Sequence, residues 1–238
     1  MDVKKHAIQI TLLSLVACAF HALMLQTPFN DYLYTSIAKV ILFILCPIIY
    51  FKVSKEGTFR ELLSLFTVKE KRSLKLPFIL GGIVFTFIVV VFMILQPLMD
   101  RTLVDDALGD IGITPLNAVF VVLYIVLINA ALEQFFFRGF VFMTLYRKNL
   151  KGYAHLYSSL LFAVYHIPVL FNALDLGMLT LATVGLVGAG LIFNFLTIKC
   201  KSISGPLIVH ISANLALNLM IGVYFVFPSL SRLLNILP

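Results

Sequence analysis

Long runs of apolar residues without charges constrain the fold of this chain more than any other feature. Seven such runs can be traced, and most have about the 20 residues that a helix needs to cross the hydrocarbon core of a bilayer. They lie near residues 7–26, 33–51, 77–99, 116–146, 155–172, 176–198 and 203–227. The fourth run is longer than one crossing requires and is predicted to continue past the membrane surface. The sequence therefore predicts an all-α fold, a polytopic transmembrane helix bundle of about seven spans, with eight as the alternative.

The overall composition supports this fold class. Of the 238 residues, 61% are hydrophobic and 12% are charged, whereas soluble domains carry about 25% charged residues. Cys18, Cys46 and Cys200 form no CxxC pair and lie in or beside apolar runs, which predicts buried structural side chains. No linker or internal repeat divides the chain, so residues 1–238 are predicted to form a single integral-membrane domain.

The positive charges are distributed unevenly between the two sides of the predicted bundle. When the runs are placed alternately across a membrane, most of the 18 Lys and Arg residues fall on the side of the N-terminus. Because cytoplasmic loops accumulate Lys and Arg, we expect a multi-pass protein of the cell membrane with a cytoplasmic N-terminus and, for seven spans, an outside C-terminus. The net charge of +7 is explained by this topology, and no nucleic-acid partner is predicted.

Three further features are assigned to lipid contact. The short amphipathic stretch from Phe59 to Phe66 precedes a basic run and predicts an interfacial helix on the cytoplasmic side. Lys39 lies near the predicted outer end of the second span, where a long side chain can reach the lipid headgroups. Of the three consecutive phenylalanines at 135–137, at least one is expected to face lipid.

Strongly polar side chains cluster in three of the apolar runs, although such side chains are costly at membrane depth. The fourth run carries Asn129, Glu133, Gln134 and Arg138, the fifth carries His166, and the seventh carries His210, Asn214 and Asn218. Spacings of four residues place several of them on shared helical faces. Taken singly, a His or Asn in a membrane span commonly serves helix packing, and the Glu and Arg could neutralise each other.

Together, these side chains form a set that is sufficient for hydrolysis. A carboxylate and one imidazole can act as general base on water, while a second imidazole and a carboxamide can donate hydrogen bonds to a developing oxyanion. Because hydrolysis needs water, we expect the three spans to converge around a wet pocket. His6, His21 and His155 lie near span ends or lack polar neighbours at helical spacing, so no role is predicted for them.

The three polar blocks resemble a known family signature. The signature is E-E-x-x-x-R, then F-x-x-x-H, then H-x-x-x-N or D, and the corresponding stretches here are EQFFFR at 133–138, FAVYH at 162–166 and HISAN at 210–214. It is the signature of the CAAX protease and bacteriocin-processing family of intramembrane proteases, also called the CPBP or Abi family. Any single block is weakly specific, but three in this order inside apolar spans are more specific. By this resemblance, residues 117–220 are predicted to form the catalytic core.

The resemblance implies an intramembrane endopeptidase with a glutamate-based site. By analogy with the family, Glu133 polarises the attacking water with help from His166, while His210 and Asn214 stabilise the tetrahedral intermediate. The implied substrate is a membrane-associated peptide or protein, cleaved in CAAX-type processing or in bacteriocin processing or immunity. No cofactor is predicted, and because a glutamate with two histidines is also a plausible zinc set, zinc is the alternative.

Gln134 departs from the family pattern, which usually has a second glutamate at this position. Glutamine keeps the hydrogen-bonding reach of glutamate but lacks its charge. We expect Gln134 to support Arg138, which lies four residues later on the same helical face. The departure also allows a second interpretation, in which the chain is a proteolytically inactive membrane regulator or scaffold that binds a membrane protein partner such as a sensor kinase or a transporter.

Overall fold

The computed structural model describes residues 3–27, 31–114 and 116–223, and all regular secondary structure in these ranges is helical. The helices are α1 Val3–Met24, α2 Tyr32–Ser54, α3 Phe59–Ser64, α4 Lys75–Leu95, α5 Arg101–Asp110, α6 Ala118–Arg147, α7 Lys151–Leu170, α8 Leu176–Cys200 and α9 Ser204–Ile221. Short 3₁₀-helical turns at Lys71–Leu74 and Gln96–Leu98 flank α4. The predicted all-α class is confirmed for this described part of the chain.

Six helical segments of the described residues are long and apolar enough to cross a membrane, as in a multi-pass membrane protein. They are Val3–Met24, Tyr32–Ser54, Lys71–Leu98, Ala118–Arg147, Leu176–Cys200 and Ser204–Ile221. Each coincides with one predicted run, and the end of the last run, at 224–227, lies outside the described residues. The remaining predicted run forms most of α7, which has 20 residues and is made less apolar by His155 and His166. The sidedness of the bundle stays a prediction.

Capping residues set the ends of several helices. The side chains of Asp31, Asp100 and Asp175 accept backbone N–H groups at the starts of α2, α5 and α8. Helices α2 and α8 end at Lys55 and Lys201, whose left-handed backbone conformations have φ values of 55° and 51°. The positive charges of these two lysines lie at the negative ends of the helix dipoles. Local sequence therefore fixes where these spans begin and end.

Helix α6 departs from α-helical geometry in two places. Residues Tyr124–Asn129 and Gln134–Met143 are π-helical, and between them Ala130–Glu133 forms one α-helical turn. In a π-helical segment the backbone hydrogen bonds run from residue i to i+5, so side chains four residues apart are no longer aligned. Such segments are frequent at functional sites. Glu133 lies at the junction of the α-helical turn and the second π-helical segment.

The C-terminal half of α6 forms the centre of the bundle. It is contacted by α1, α2, α3, α7 and α8, and every residue from Gln134 to Phe142 is buried. The expectation that one phenylalanine at 135–137 faces lipid is therefore wrong. Phe136, for example, stacks on Phe43 of α2 with ring centroids 3.9 Å apart. The physical reason is that helices surround this part of α6 on all sides, which a single apolar run cannot reveal.

Two glycines permit close approach of the helices around this centre. A Cβ atom at Gly81 of α4 would lie 2.7 Å from Ser212 Oγ of α9, and one at Gly190 of α8 would lie 2.8 Å from Ser159 Cα of α7. Both distances are too short for a side chain, so glycine is what allows these helix pairs to pack. The two pairs join α9 to α4 and α7 to α8, and α7 and α9 carry the predicted histidines.

The predicted amphipathic stretch forms the short helix α3, which lies against the bundle. Leu62 is buried on α6, where a Cβ atom at Gly139 would lie 3.2 Å from Leu62 Cδ1. The backbone N–H of Ile203, between α8 and α9, donates to the Leu65 carbonyl at 2.8 Å. Helix α3 is thus fixed to the bundle by one apolar side and by backbone hydrogen bonding, while its position at the cytoplasmic surface stays a prediction.

Candidate active site

Glu133, His166 and His210 converge from three different helices. Glu133 is on α6 and is only 2% exposed, whereas His166 lies on α7 and His210 on α9. The Oε2 atom of Glu133 is 3.7 Å from Nε2 of His166 and 3.7 Å from Nε2 of His210. The fold therefore places one carboxylate oxygen opposite two imidazole rings.

The two oxygens of the Glu133 carboxylate have different surroundings. Oε1 accepts a hydrogen bond from Asn129 Nδ2 at 2.9 Å and another from the Tyr165 hydroxyl at 3.4 Å. Oε2 is buried and has no hydrogen-bond partner among the described residues. Its distances to the two rings are longer than direct hydrogen bonds and suit contact through a small polar group. Oε2 is thus the oxygen available to a reactant.

The hydrogen-bond partners in this structure favour one tautomer of each neutral imidazole. His166 Nδ1 is 2.7 Å from the Phe162 carbonyl oxygen, which can only accept, so Nδ1 carries the proton and Nε2 of the neutral ring has a free lone pair. His210 Nδ1 is 3.0 Å from Gln134 Nε2, which can only donate, so Nδ1 accepts and Nε2 carries the proton. Towards Glu133, one ring therefore presents an acceptor and the other a donor.

The site is nearly closed, and its open side is at His166. The His166 side chain is 22% exposed, whereas the side chains of Glu133 and His210 are almost completely buried. The wet pocket expected from the sequence stays a prediction.

Gln134 and Arg138 do not form the predicted contact. Gln134 donates to His210 instead, while Gln134 Oε1 and all three guanidinium nitrogens of Arg138 are buried without a hydrogen-bond partner in the described structure. The reason is the π-helical geometry of this segment, which removes the alignment of residues four positions apart. The Arg138 guanidinium lies over the rings of Phe162 and Phe193, with Cζ 4.2 and 4.7 Å from their centroids, in a cation–π arrangement.

The side chain of Asn214 makes no hydrogen bond to those of Glu133, His166 or His210 in the described structure. Its Nδ2 donates to the Ile125 carbonyl in the first π-helical segment of α6, at 3.2 Å. Asn218, one turn later, donates to the Asn214 carbonyl at 2.8 Å. Asn214 thus ties α9 to α6, and its role as an oxyanion donor stays a prediction.

Lys39 is buried in the bundle, so its assignment to the lipid headgroups is wrong. It is only 6% exposed, and its ammonium group donates a hydrogen bond to Asn129 Oδ1. The physical reason is charge balance, because Glu133 is the sole acidic residue in the predicted apolar runs and a buried anion favours a nearby buried cation. A search for the counter-charge of Glu133 could have found Lys39 from the sequence.

Tyr165 and His21 also border the site, although sequence reasoning assigned a role to neither. Tyr165 hydrogen bonds to Glu133 through its hydroxyl group, and His21 of α1 stacks on the Tyr165 ring with centroids 5.3 Å apart. His21 is buried, and its neighbours here come from other helices, so helical spacing within α1 gave no signal. The N-terminal helices α1 and α2 therefore complete the wall of the site.

The alternative prediction of a zinc site rests on Glu133, His166 and His210. Zinc would require Oε2 and one ring-nitrogen lone pair from each histidine to point at a single position. His210 does not meet this requirement, because its Nε2 carries the proton while Nδ1 accepts from Gln134. Within residues 3–27, 31–114 and 116–223, no group of three or more His, Cys, Asp and Glu side chains could hold a metal ion. The residues as arranged do not fit zinc, and independence from cofactors stays a prediction.

Comparison with known proteins gives one match. Residues 115–216 match the family model described as type II CAAX prenyl endopeptidase Rce1-like, which confirms the resemblance seen in the three polar blocks. No curated protein and no solved structure matches the chain. The matched segment contains Glu133, His166, His210 and Asn214, whereas Lys39 and α1 lie outside it.

Proposed function

We propose that this chain, whose residues 115–216 match the Rce1-like CAAX endopeptidase family, is an intramembrane glutamate-type endopeptidase that hydrolyses a peptide bond of a membrane-associated peptide or protein. The family match supports membrane protease activity. The observation that carries the glutamate chemistry is the position of the buried Glu133 Oε2, 3.7 Å from Nε2 of both His166 and His210. Asn129 donates a hydrogen bond to Glu133 Oε1, which leaves Oε2 free to react.

In the proposed first step, a water molecule binds between Glu133 Oε2 and the Nε2 lone pair of His166. Glu133 Oε2 takes one proton of the water, and His166 Nε2 accepts a hydrogen bond from the other. The water oxygen forms a bond to the carbonyl carbon of the substrate while the carbonyl electrons move onto its oxygen. In the second step the tetrahedral intermediate collapses, the carbon–nitrogen bond breaks, and the held proton passes to the leaving amine. Both steps need only the side chains described above and one water.

The developing oxyanion needs hydrogen-bond donors. The Nε2–H of His210 is one, because the hydrogen bond from Gln134 to Nδ1 keeps the proton on Nε2. Asn214 is the second proposed donor, and in the enzyme–substrate complex its amide exchanges the Ile125 carbonyl for the substrate oxygen. This exchange is compatible with its position on α9, one helical turn from His210.

Two substrate classes fit this chemistry, CAAX-type processing of a prenylated peptide and bacteriocin-type processing or immunity with an unmodified peptide. They can be distinguished with internally quenched peptides that carry either a farnesylated or an unmodified cysteine. The wild-type protein, reconstituted in lipid nanodiscs, is expected to cleave one class at least about tenfold faster, because one apolar group contributes about 1–3 kcal/mol to discrimination.

A second candidate function rests on Gln134, which stands where the family usually has glutamate. If this change has abolished hydrolysis, the chain is a membrane regulator or scaffold that binds a partner such as a sensor kinase or a transporter. The discriminating experiment introduces Glu133→Gln, His166→Ala and His210→Ala separately into a strain that lacks the gene. Loss of the phenotype in all three, at normal membrane levels, supports hydrolysis, whereas a retained phenotype supports the scaffold.

A further inference from the structure

Lys39 is connected to Glu133 through a single amide. Its ammonium group donates to Asn129 Oδ1, and Asn129 Nδ2 donates to Glu133 Oε1 at 2.9 Å. We propose that Lys39 is a positioning residue for Glu133, which acts by fixing the orientation of the Asn129 amide; this inference rests on the proposed function. Lys39 lies on α2, outside the segment that matches the family model.

The chemistry of Lys39, Asn129 and Glu133 determines how the three groups can pair. An asparagine amide can point either its oxygen or its nitrogen at a neighbour, and the two ends are close in size. The lysine ammonium has donors and no acceptor, so it can pair only with the amide oxygen. Once Oδ1 of Asn129 is held by Lys39, its Nδ2 is the end that faces Glu133. Without Lys39, the amide is free to turn its oxygen towards the carboxylate, which repels it.

The orientation of Asn129 determines which carboxylate oxygen reacts. With Nδ2 on Oε1, and with the Tyr165 hydroxyl on the same atom, Oε1 is occupied and Oε2 faces the two imidazoles. A turned amide leaves Oε1 with only the longer hydrogen bond from Tyr165, and this lets the carboxylate rotate away from the histidines. Lys39 therefore affects the chemical step rather than substrate binding.

Burial shows that Lys39 is not held there by solvent or lipid headgroups. The residue is almost completely buried in the described structure, and burying an ammonium group without a partner is strongly unfavourable. Asn129 is also buried, so neither the Lys39 ammonium nor the Asn129 amide exchanges its partner readily for water. The charge of the buried Lys39 is balanced by the Glu133 carboxylate, to which it is connected through the Asn129 amide.

The test compares three replacements of Lys39 with a control on the same helix. Lys39→Met removes donor and charge, Lys39→Gln keeps a donor but can also present an oxygen to Asn129, and Lys39→Arg keeps donors only. Lys52→Met is the matched control, because Lys52 is exposed in the last turn of α2. Activity is measured on the quenched peptide that the wild-type protein cleaves, in nanodiscs, per folded molecule judged by circular dichroism and gel filtration.

We expect kcat of Lys39→Met to fall about 10- to 100-fold with KM changed less than about twofold, as when a residue that orients a reactive group is removed. Lys39→Gln is expected to be intermediate, Lys39→Arg to recover most of the activity, and Lys52→Met to equal wild type. In an Asn129→Ala background, Lys39→Met is expected to add no further loss, because the two residues act through one connection.

The outcomes separate this inference from the proposed function. If Lys39→Met or Lys39→Gln folds and keeps the wild-type kcat while Glu133→Gln is inactive, Lys39 does not position Glu133 and the glutamate chemistry stands. If Lys39→Met does not fold, the kcat of Lys39→Gln decides whether Lys39 positions Glu133. If Glu133→Gln cleaves the peptide as fast as wild type, the proposed function itself fails.

Discussion

Two buried polar clusters of this bundle differ in how completely their atoms are paired. The His6 cluster consists of His6, Tyr50, Glu56 and Lys148. In it, His6 Nδ1 is 2.8 Å from the Tyr50 hydroxyl, His6 Nε2 is 3.2 Å from Glu56 Oε1, and Lys148 pairs with Glu56 Oε2. Both ring nitrogens and both carboxylate oxygens therefore have partners. The Glu56 side chain is also 38% exposed, so the cluster reaches the surface.

The Glu133 cluster consists of Glu133, Asn129, Tyr165, His166 and His210, and it is deeper and less completely paired. Glu133 Oε2 and the neighbouring Gln134 Oε1 are buried without hydrogen-bond partners among the described residues. Each such atom costs about 1–3 kcal/mol, so each calls for an explanation, and for Glu133 Oε2 the proposed function supplies one. The comparison indicates that the His6 cluster joins helices, whereas the Glu133 cluster is kept open for a reactant.

The same glutamine replacement in each cluster gives the largest predicted difference. Glu133→Gln removes the proposed base and is expected to lower kcat/KM about 10²- to 10⁴-fold, as for other general bases. Glu56→Gln keeps an oxygen for His6 and is expected to stay within about twofold of wild type, because this cluster lies outside the chemistry. Peptide cleavage in nanodiscs measures both. Equal losses of kcat/KM in Glu133→Gln and Glu56→Gln would contradict the assignment of the chemistry to the Glu133 cluster alone.

Replacement of His210 in the Glu133 cluster is predicted to lower kcat far more than replacement of a histidine outside it. His210→Ala removes an oxyanion donor and is expected to lower kcat about 10²- to 10³-fold. His155→Ala is the control, because His155 packs on the rings of Phe142 and Tyr146 and is expected to change kcat little. A His210→Ala enzyme with wild-type kcat, measured on the same peptide, would contradict the donor role.

Restoring the family residue sharpens the comparison by adding a second anion to the Glu133 cluster. In Gln134→Glu, a second buried carboxylate joins Glu133 among the buried cations Lys39 and Arg138, and it can accept from His210 Nδ1. Hydrogen bonds to charged groups contribute about 1.5–3 kcal/mol, so we expect a higher thermal unfolding midpoint. We expect kcat to fall, because a carboxylate at 134 cannot donate to His210 Nδ1 and the ring proton then leaves Nε2. The chain has no Trp, so circular dichroism is the suitable measurement. A lower midpoint would show that Arg138 needs no anion.

Breaking the ion pair of the His6 cluster is predicted to have a small effect. The side chains of Lys148 and Glu56 are 25% and 38% exposed, and pairs of this kind contribute about 0–1 kcal/mol. Lys148→Met is therefore expected to lower the thermal midpoint slightly and to leave kcat unchanged. A fall in kcat of more than about fivefold, against the Lys52→Met control, would connect the His6 cluster to catalysis.

The smallest predicted effect is that of a chelator. Because His210 Nε2 carries a proton in the observed geometry, the Glu133 cluster does not fit zinc. Incubation of the purified protein with 1,10-phenanthroline, followed by the cleavage assay, is expected to leave the rate unchanged. A loss of activity that added zinc restores would support the alternative zinc assignment and would require a different proton position on His210.

The residues of the candidate site were predicted to different degrees from the sequence. The convergence of Glu133, His166 and His210 followed from polar residues inside apolar runs, because membrane depth makes such residues conspicuous. The prediction of a contact between Gln134 and Arg138 was wrong, because it assumed α-helical spacing in a segment that is π-helical. Lys39 was also placed wrongly, because its partner lies on another helix.

The sequence by itself determined the helical class, the positions of the candidate spans and the three polar blocks. These follow from hydropathy, capping and spacing, which act within one segment of about 20 residues. Only the tertiary structure decided that Lys39 reaches Asn129, that Gln134 sets the proton on His210, and that Asn214 binds a backbone carbonyl of α6. The reason is physical, because a buried hydrogen bond depends on which atoms of different helices come within about 3 Å of each other, and packing alone sets those distances.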